Sequence, residues 1–360
     1  MNAPLTRHAR FPPRGRSVPP ERPRGTDLFP NARRIPVPAD TRPILSVVIH
    51  TEEEFDWERP HAREETGVEH MRHIGRAQAL FDAFGIVPNY VIDYPIASQP
   101  LGYETLRRYR EEGRALIGAH LHPWVSPPLT ETLSRANTYP GNLPRELEHE
   151  KLLLLTETIT RNIGERPLTY LAGRYGNGPN SASILEQLGY EVDISVAPPI
   201  DYSADGGPDY SGYTAEPFWF GARRQLLGLP GGGCYAGWLK GAGAPFYRLI
   251  THPGLRWARL PAITSRLRAF ERIRLSPEDY TLAEMQRMTR SMLADGQRVF
   301  VFSFHSPSVH PGYAPYVRDE AGLRRFLDKT RGYFEWFMRE LNGQSMTPLQ
   351  LKRYFQGEST

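Results

Sequence analysis

The sequence predicts an α/β fold built on parallel strands, and three observations predict it. Apolar, β-branched runs of strand length alternate with stretches of helical periodicity, glycine closes one periodic stretch after another, and polar clusters fall at the ends of the apolar runs. Strands separated by helices of this length need right-handed crossovers, so the sheet is either wound open or closed into a barrel. Polar clusters gathered at strand ends favour a barrel-like arrangement around one mouth.

The strand candidates, in order, are Ile44 to Ile49, Val87 to Ile92, Ala115 to Ala119, Leu168 to Ala172, Glu191 to Ser195, Leu226 to Leu229 and Val299 to Phe304. Between them, residues 69 to 84 keep apolar side chains on one face and stop at Gly85, residues 102 to 112 stop at Gly113, and Pro144 to Ile163 stops at Gly164. Asn180 precedes a short helix ending at Gly189, and residues 277 to 295 open at Pro277 and close at Gly296. Proline at a helix start and glycine just past its end are the expected punctuation. Residues 320 to 341 form an amphipathic closing helix. The stretch from 197 to 261 breaks the rhythm with Gly206-Gly207-Pro208, Phe218-Trp219-Phe220 and Gly231-Gly232-Gly233, and reads as a long loop excursion holding one strand. The glycine triplet is no phosphate loop, because no Lys-Ser/Thr follows it. Residues 44–342 are thereby one barrel domain, and residues 343–360 a C-terminal tail.

Residues 1–43 hold nine Arg against three acids, a net +6, whereas the whole chain of 360 residues is +4, so the remainder is net −2. With Pro12-Pro13 and Pro19-Pro20 and almost no apolar periodicity, this leader cannot bury enough surface to offset its ordering entropy and is expected to be a disordered tail. Mean hydropathy of −0.50 and the absence of an apolar run of roughly 20 residues exclude a membrane span. No secretory leader is evident, so the expected location is cytoplasmic. No nucleic-acid partner is expected: the basic arm reads as a solvated leader. The one cysteine, Cys234, excludes an internal disulfide and a multi-thiolate zinc site, so any metal must be held by His and carboxylates.

The chemistry lies at the strand ends. Val47-Val48-Ile49 runs into His50-Thr51-Glu52-Glu53-Glu54-Phe55-Asp56-Trp57, and Ala115 to Ala119 runs into His120-Leu121-His122-Pro123-Trp124. In extended chain residues two apart point the same way, so His120 and His122 can face one ion, and His50 and Glu52 share a side. Two His and one carboxylate with an open position form a common hydrolytic metal site, in which the cation acidifies water and polarises a carbonyl. Leu168 to Ala172 leads to Gly173-Arg174-Tyr175-Gly176, where an Arg can either grip a carboxylate or bridge a tight turn. Val299 to Phe304 delivers His305, suited to general-acid work or to a structural hydrogen bond. His61, His70 and His73 read as solvated, and Trp57, Trp124 and Trp219 as packing aromatics or a sugar-stacking platform.

In this order, the segments His50 to Trp57, Gly118 to Trp124, Arg174 to Gly178, Asp193 to Ser195 and Ser303 to Pro307 resemble the polysaccharide deacetylase (NodB-homology) family, and within it the WalW-like branch. The resemblance implies a distorted (β/α)7-type barrel, a divalent ion, usually Zn2+, and removal of an N- or O-acetyl group from a saccharide. By position it makes Glu52 and His120 metal ligands, Arg174 the holder of the catalytic acid, Tyr175 the donor of a backbone N–H to the oxyanion, His305 the general acid, and Asp193 its orienting group. Where the family has its catalytic aspartate, this chain has His50, so the base falls to His50, Glu53 or Glu54. Trp124 stands where the family has its second metal histidine, and strand parity gives that role to His122 instead. The expected function is a metal-dependent hydrolase deacetylating a saccharide or glycolipid precursor in surface polysaccharide or lipopolysaccharide metabolism. The alternatives are a degenerate glycan- or metal-binding member of the same fold, and a glycosidase using Glu52 with a second carboxylate.

Overall fold

The computed structural model describes residues 28–358. The alternation of apolar runs and helices becomes a curled sheet, and all seven expected strands are in it. Five lie side by side in chain order, all parallel: β2 (Ile44–Thr51), β3 (Asn89–Ile92), β4 (Leu116–Leu121), β5 (Thr169–Ala172) and β6 (Val192–Asp193), counting a short edge strand β1 (Arg33–Arg34) before them. β7 (Phe218–Phe220) and β8 (Leu226–Gly228) extend the sheet beyond β6, with β8 parallel to β6 and β7 antiparallel to β8. A separate two-stranded ribbon pairs β9 (Gly233–Ala236) with β10 (Glu271–Arg274), and β11 (Val299–His305) returns to lie parallel to β2. A last strand, β12 (Gln344–Ser345), pairs with the start of β2.

Crossovers are helical: α1 (Gly75–Ala83), α2 (Tyr94–Ser98), α3 (Pro100–Glu111), α4 (Arg145–Ile163) and α5 (Ser181–Gln187), followed by α6 (Gly243–Ile250), α7 (Leu260–Arg266), α8 (Leu282–Ala294), α9 (Glu320–Glu335) and α10 (Pro348–Gln356). The helix expected from Pro277 starts later, because Thr281 and Glu284 form a reciprocal capping box that sets the α8 N-terminus.

Strand parity splits the apolar side chains into two layers. Leu45, Val47, Ile49, Phe300, Phe302 and Phe304 pack under the helices, while Ile44, Val48, Val91, Leu171, Val192, Val299 and Val301 fill the barrel interior. Between β6 and β11 the wall is irregular: Gly231 N–H donates to Val196 O, Gly232 N–H to Val301 O and Ser303 N–H to Leu275 O. A Cβ on Gly232 would collide with Val301 O and come within 2.7 Å of Leu275 Cβ, so the glycine triplet serves close backbone approach.

Three expectations about the periphery need correction. Residues 28–43 are not tail: Phe29 is buried with edge-on contacts to Tyr213, Phe218 and Phe220, and Arg33–Arg34 pair with Phe218–Trp219. The tail reading of residues 1–27 lies outside the described residues. Residues 343–358 are not tail either, since Leu351 of α10 is buried against the interior layer and plugs the end of the barrel away from the mouth. The stretch from 197 to 261 supplies β7, β8 and β9 rather than one strand, its aromatic runs being sheet residues.

Candidate active site

The mouth is built by the same parity that builds the interior layer. Counting outward from Ile44 and Val48, the next side chains on the inner face of β2 are His50 and Glu52; on β4 they are His120 and His122; on β11, His305 follows Val301 and Ser303. All five are at or just beyond the carboxyl ends of the parallel strands β2, β4 and β11, and all but His305 are nearly inaccessible to solvent. Glu52 Oε2 is 3.4 Å from His120 Nε2 and 3.6 Å from His122 Nε2, and the two Nε2 atoms are 3.0 Å apart.

These residues fit a divalent cation. His120 Nδ1 is 2.9 Å from Leu171 O and His122 Nδ1 is 2.7 Å from Glu53 Oε2, so each ring donates its Nδ1 proton outward and turns an Nε2 lone pair inward. Two lone pairs facing each other repel unless a positive charge lies between them, and at 3.0 Å apart both nitrogens are within reach of one ion. Glu52 Oε1 is buried without a hydrogen-bond partner, as an oxygen reserved for a cation would be. Burial opposes ionisation of Glu52, yet His305, His120 and His122 outweigh it and hold the carboxyl below its ordinary range. His122 is pushed well down by burial and then by His120, which leaves it neutral.

Glu53 stands behind this group rather than at its mouth. Its oxygens accept from His122 Nδ1 and from Trp124 Nε1 (2.7 Å), and its backbone N–H donates to Asp93 Oδ2 (2.6 Å). Burial and the Glu52 charge push the Glu53 carboxyl up to about 8, and Asp93 is raised well above its ordinary range, by burial first and then by the adjoining Glu53 carboxyl.

His305 forms the opposite wall. Its Nδ1 is 2.9 Å from Glu278 Oε2, and its backbone N–H donates to Glu278 Oε1 at 3.0 Å. Burial would lower its pKa, but the carboxylates of Glu278 and Glu52 prevail and carry it up to about 9. The ligand atoms of His50, Glu52 and His305 lie within 4.8 Å of one another. His50 is pushed well down, by burial first and then by His305 and His120, so a neutral imidazole faces a protonated one with ring centroids 4.8 Å apart. That pair can take up one proton and deliver another.

Two of the expected residues are elsewhere. Asp193 is on the opposite parity from Val192 and Ile194, so it points toward the helices, where it accepts from Asn177 Nδ2 and the Ser195 N–H; the carboxylate on His305 is Glu278. Arg174 is engaged by Asp205 and Thr138 Oγ1 and lies over the Tyr139 ring, not against His50. Tyr175 does line the mouth, its ring 5.6 Å from His50. Arg174 and Tyr175 both have left-handed backbones (φ 55° and 59°), and strain of this kind in non-glycine residues gathers at functional sites.

Glu54, the other candidate base, is engaged by the N–H and Nδ1 of His70. His70 is therefore not solvated: it is fully buried, with Nε2 2.7 Å from Ser306 Oγ. His61 is half-buried, stacked on Trp124 at 4.2 Å. Trp57 packs edge-on against His305 at the mouth, Trp124 is buried against His122, and Trp219 lies on the far edge of the sheet beside Arg34 and Tyr354. Sequence reasoning missed Asp93, Glu278 and Arg274. Asp93 carried a signal, being an acid directly after a β-branched strand; Glu278 and Arg274 carried none, since their partners His305 and Tyr175 are distant in sequence.

No family model matches the chain, and no curated protein matches it. Solved structures do. Puue allantoinase is 15% identical, covering 95% of this chain and 98% of its own, with a TM-score of 0.53. A probable polysaccharide deacetylase from Pseudomonas aeruginosa is 13% identical, covering 89% and 93%, with a TM-score of 0.51. At such identities the likeness is one of fold: this chain has the distorted α/β barrel of those proteins.

Proposed function

We propose that this chain is a metal-dependent hydrolase that removes an acetyl group, N- or O-linked, from a saccharide. The observation that carries the reading is the convergence of Glu52, His120 and His122 on one point, with neutral His50 and protonated His305 beside it. The barrel is shared with a probable polysaccharide deacetylase from Pseudomonas aeruginosa, which supports a saccharide substrate.

Glu52, His120 and His122 would hold the cation, with Glu53 orienting His122. When bound, the cation supplies Lewis acidity toward the acyl oxygen and a lowered pKa for water. His50 accepts a proton from the attacking water, whose oxygen bonds to the acyl carbon. The Tyr175 backbone N–H donates to the oxyanion. His305, kept charged by Glu278, gives its proton to the departing nitrogen or oxygen as the C–N or C–O bond breaks. Zn2+ suits two imidazoles and a carboxylate. Within this reading the chain falls in the WalW-like branch and acts in the cytoplasm on a lipid- or nucleotide-linked precursor of surface polysaccharide.

The test is acetate release from N-acetylated and O-acetylated saccharides by the zinc-loaded chain. His305→Ala is expected to lose 100-fold or more, roughly the span of general-acid contributions, while keeping its zinc. A second reading, a glycan or metal binder without turnover, is favoured by His50 and by the diversion of Arg174 to Asp205. Stoichiometric zinc with no acetate released from any acetylated saccharide would establish that reading; glycosidic cleavage without acetate would establish the glycosidase instead.

A further inference from the structure

Between β9 and β10 the chain leaves the barrel for α6, a short 3-10 turn (Pro253–Ala258) and α7. Among the described residues, five of the six exposed large hydrophobic side chains are in this one excursion: Trp238 (74% exposed), Leu249 (58%), Trp257 (83%), Ile263 (48%) and Leu267 (66%). Apolar side chains exposed together mark an interaction surface, whereas scattered ones mean nothing. The charge is equally one-sided. No Asp or Glu occurs from Pro217 to Phe270. Lys240 and Arg248 tie the excursion to the body through Asp295 and through Asp201 and Asp209, but Arg256, Arg259, Arg266 and Arg268 are exposed and have no ion pair among the described residues.

We propose that this excursion docks the protein on the surface of an anionic lipid bilayer. Tryptophan and leucine interleaved with unpaired arginines on short amphipathic helices are what an interfacial element needs: the apolar side chains enter the headgroup boundary while the guanidinium groups meet lipid phosphates. No helix among the described residues is long and apolar enough to cross a membrane, so the contact is peripheral. Charge disfavours two other occupants. Residues 1–27 carry six Arg against Glu21 and Asp27, and a second copy would bring the same cationic face, so either would meet like charge. The placement also has a consequence for the mouth. The β9–β10 ribbon leads from the excursion at Ala236 and Glu271 to Gly233 and Arg274, a span of roughly 10 Å at 3.3 Å per residue, and Arg274 lines the small cavity beside His305. Docking therefore brings the mouth close to the headgroups.

The test is flotation of the full chain, without metal or substrate, with vesicles of phosphatidylcholine alone and of phosphatidylcholine mixed with phosphatidylglycerol. Co-flotation with the mixed vesicles only, weakened by salt and accompanied by a blue shift of tryptophan emission, is expected. Trp257→Ser/Leu267→Ser and Arg256→Ala/Arg266→Ala variants, checked for native far-UV circular dichroism, are expected to lose it about ten-fold or more. No flotation with either vesicle overturns the proposal. So does flotation that every variant retains, or a concentration-dependent dimer that the Trp257/Leu267 variant dissolves. Because neither cation nor saccharide is present, failure here leaves the hydrolase reading untouched, and failure of acetate release leaves vesicle binding untouched.

Discussion

At the scale of single residues, the site works by giving chemically similar groups different surroundings. His50 and His305 face each other, but only His305 has a carboxylate on its Nδ1, and Glu278 is what keeps it charged. The acid form of His305 prevails below about pH 9, so kcat/KM should fall as pH rises through that value. Glu278→Gln removes the charge that raises the pKa, and the falling limb should move to lower pH; a limb that stays in place in this variant would show that another group sets it. The same shift makes a stability statement. The folded pKa is raised, so the His305 contribution in the metal-free chain is complete below the ordinary value of 6.5 and is lost as pH climbs through about 9. Glu53 acts through His122: Glu53→Gln should weaken zinc affinity by roughly 10- to 100-fold, measured by competition with a chromogenic chelator, with Glu52, His120 and His122 unaltered. Unchanged affinity would remove Glu53 from the metal's support.

At the scale of elements, backbone fit decides which side chains reach the mouth. Gly173 follows β5, and a Cβ there would collide with Leu121 O and lie 2.8 Å from His122 Cδ2. The glycine thus lets β5 run close enough to β4 for His122 to keep its orientation. The C-terminal helix has a comparable structural role at the other end. Thr347 and Gln350 cap α10 reciprocally, Gly357 closes it, and Leu351 is buried among Ile44, Val299 and their neighbours. Leu351→Ala should cost about 2–5 kcal/mol in denaturant unfolding, the usual range for an interior leucine. A loss near zero would mean that α10 merely rests on the barrel.

At the scale of the whole molecule, the cation and the fold are coupled. The Nε2 lone pairs of His120 and His122 repel one another at the mouth, and the folded chain holds them together beside Glu52 against that repulsion. A cation bound only by the folded chain stabilises it by mass action, so chelation should lower the Tm and added zinc should raise it in a concentration-dependent way. Equal melting curves with chelator and with zinc would count against a metal site. The excursion between β9 and β10 stands outside this coupling, since its anchors are Asp295, Asp201 and Asp209 rather than the mouth.

The sequence by itself determined the alternating α/β architecture, seven of the strands, the shared sides of His50 with Glu52 and of His120 with His122, and the place of His305 at a strand end, because strand parity and helix punctuation are local properties of the chain. It also held the signal for Asp93. Only the tertiary structure decided that Glu278 rather than Asp193 supports His305, that Glu53 backs His122, that Arg174 turns to Asp205, and that Leu28, Phe29 and Leu351, outside the repeating strands and helices, pack into the core. Those pairings join residues far apart in the chain, and what selects among distant partners of similar chemistry is the packing that sets their distance and burial, which no local pattern encodes.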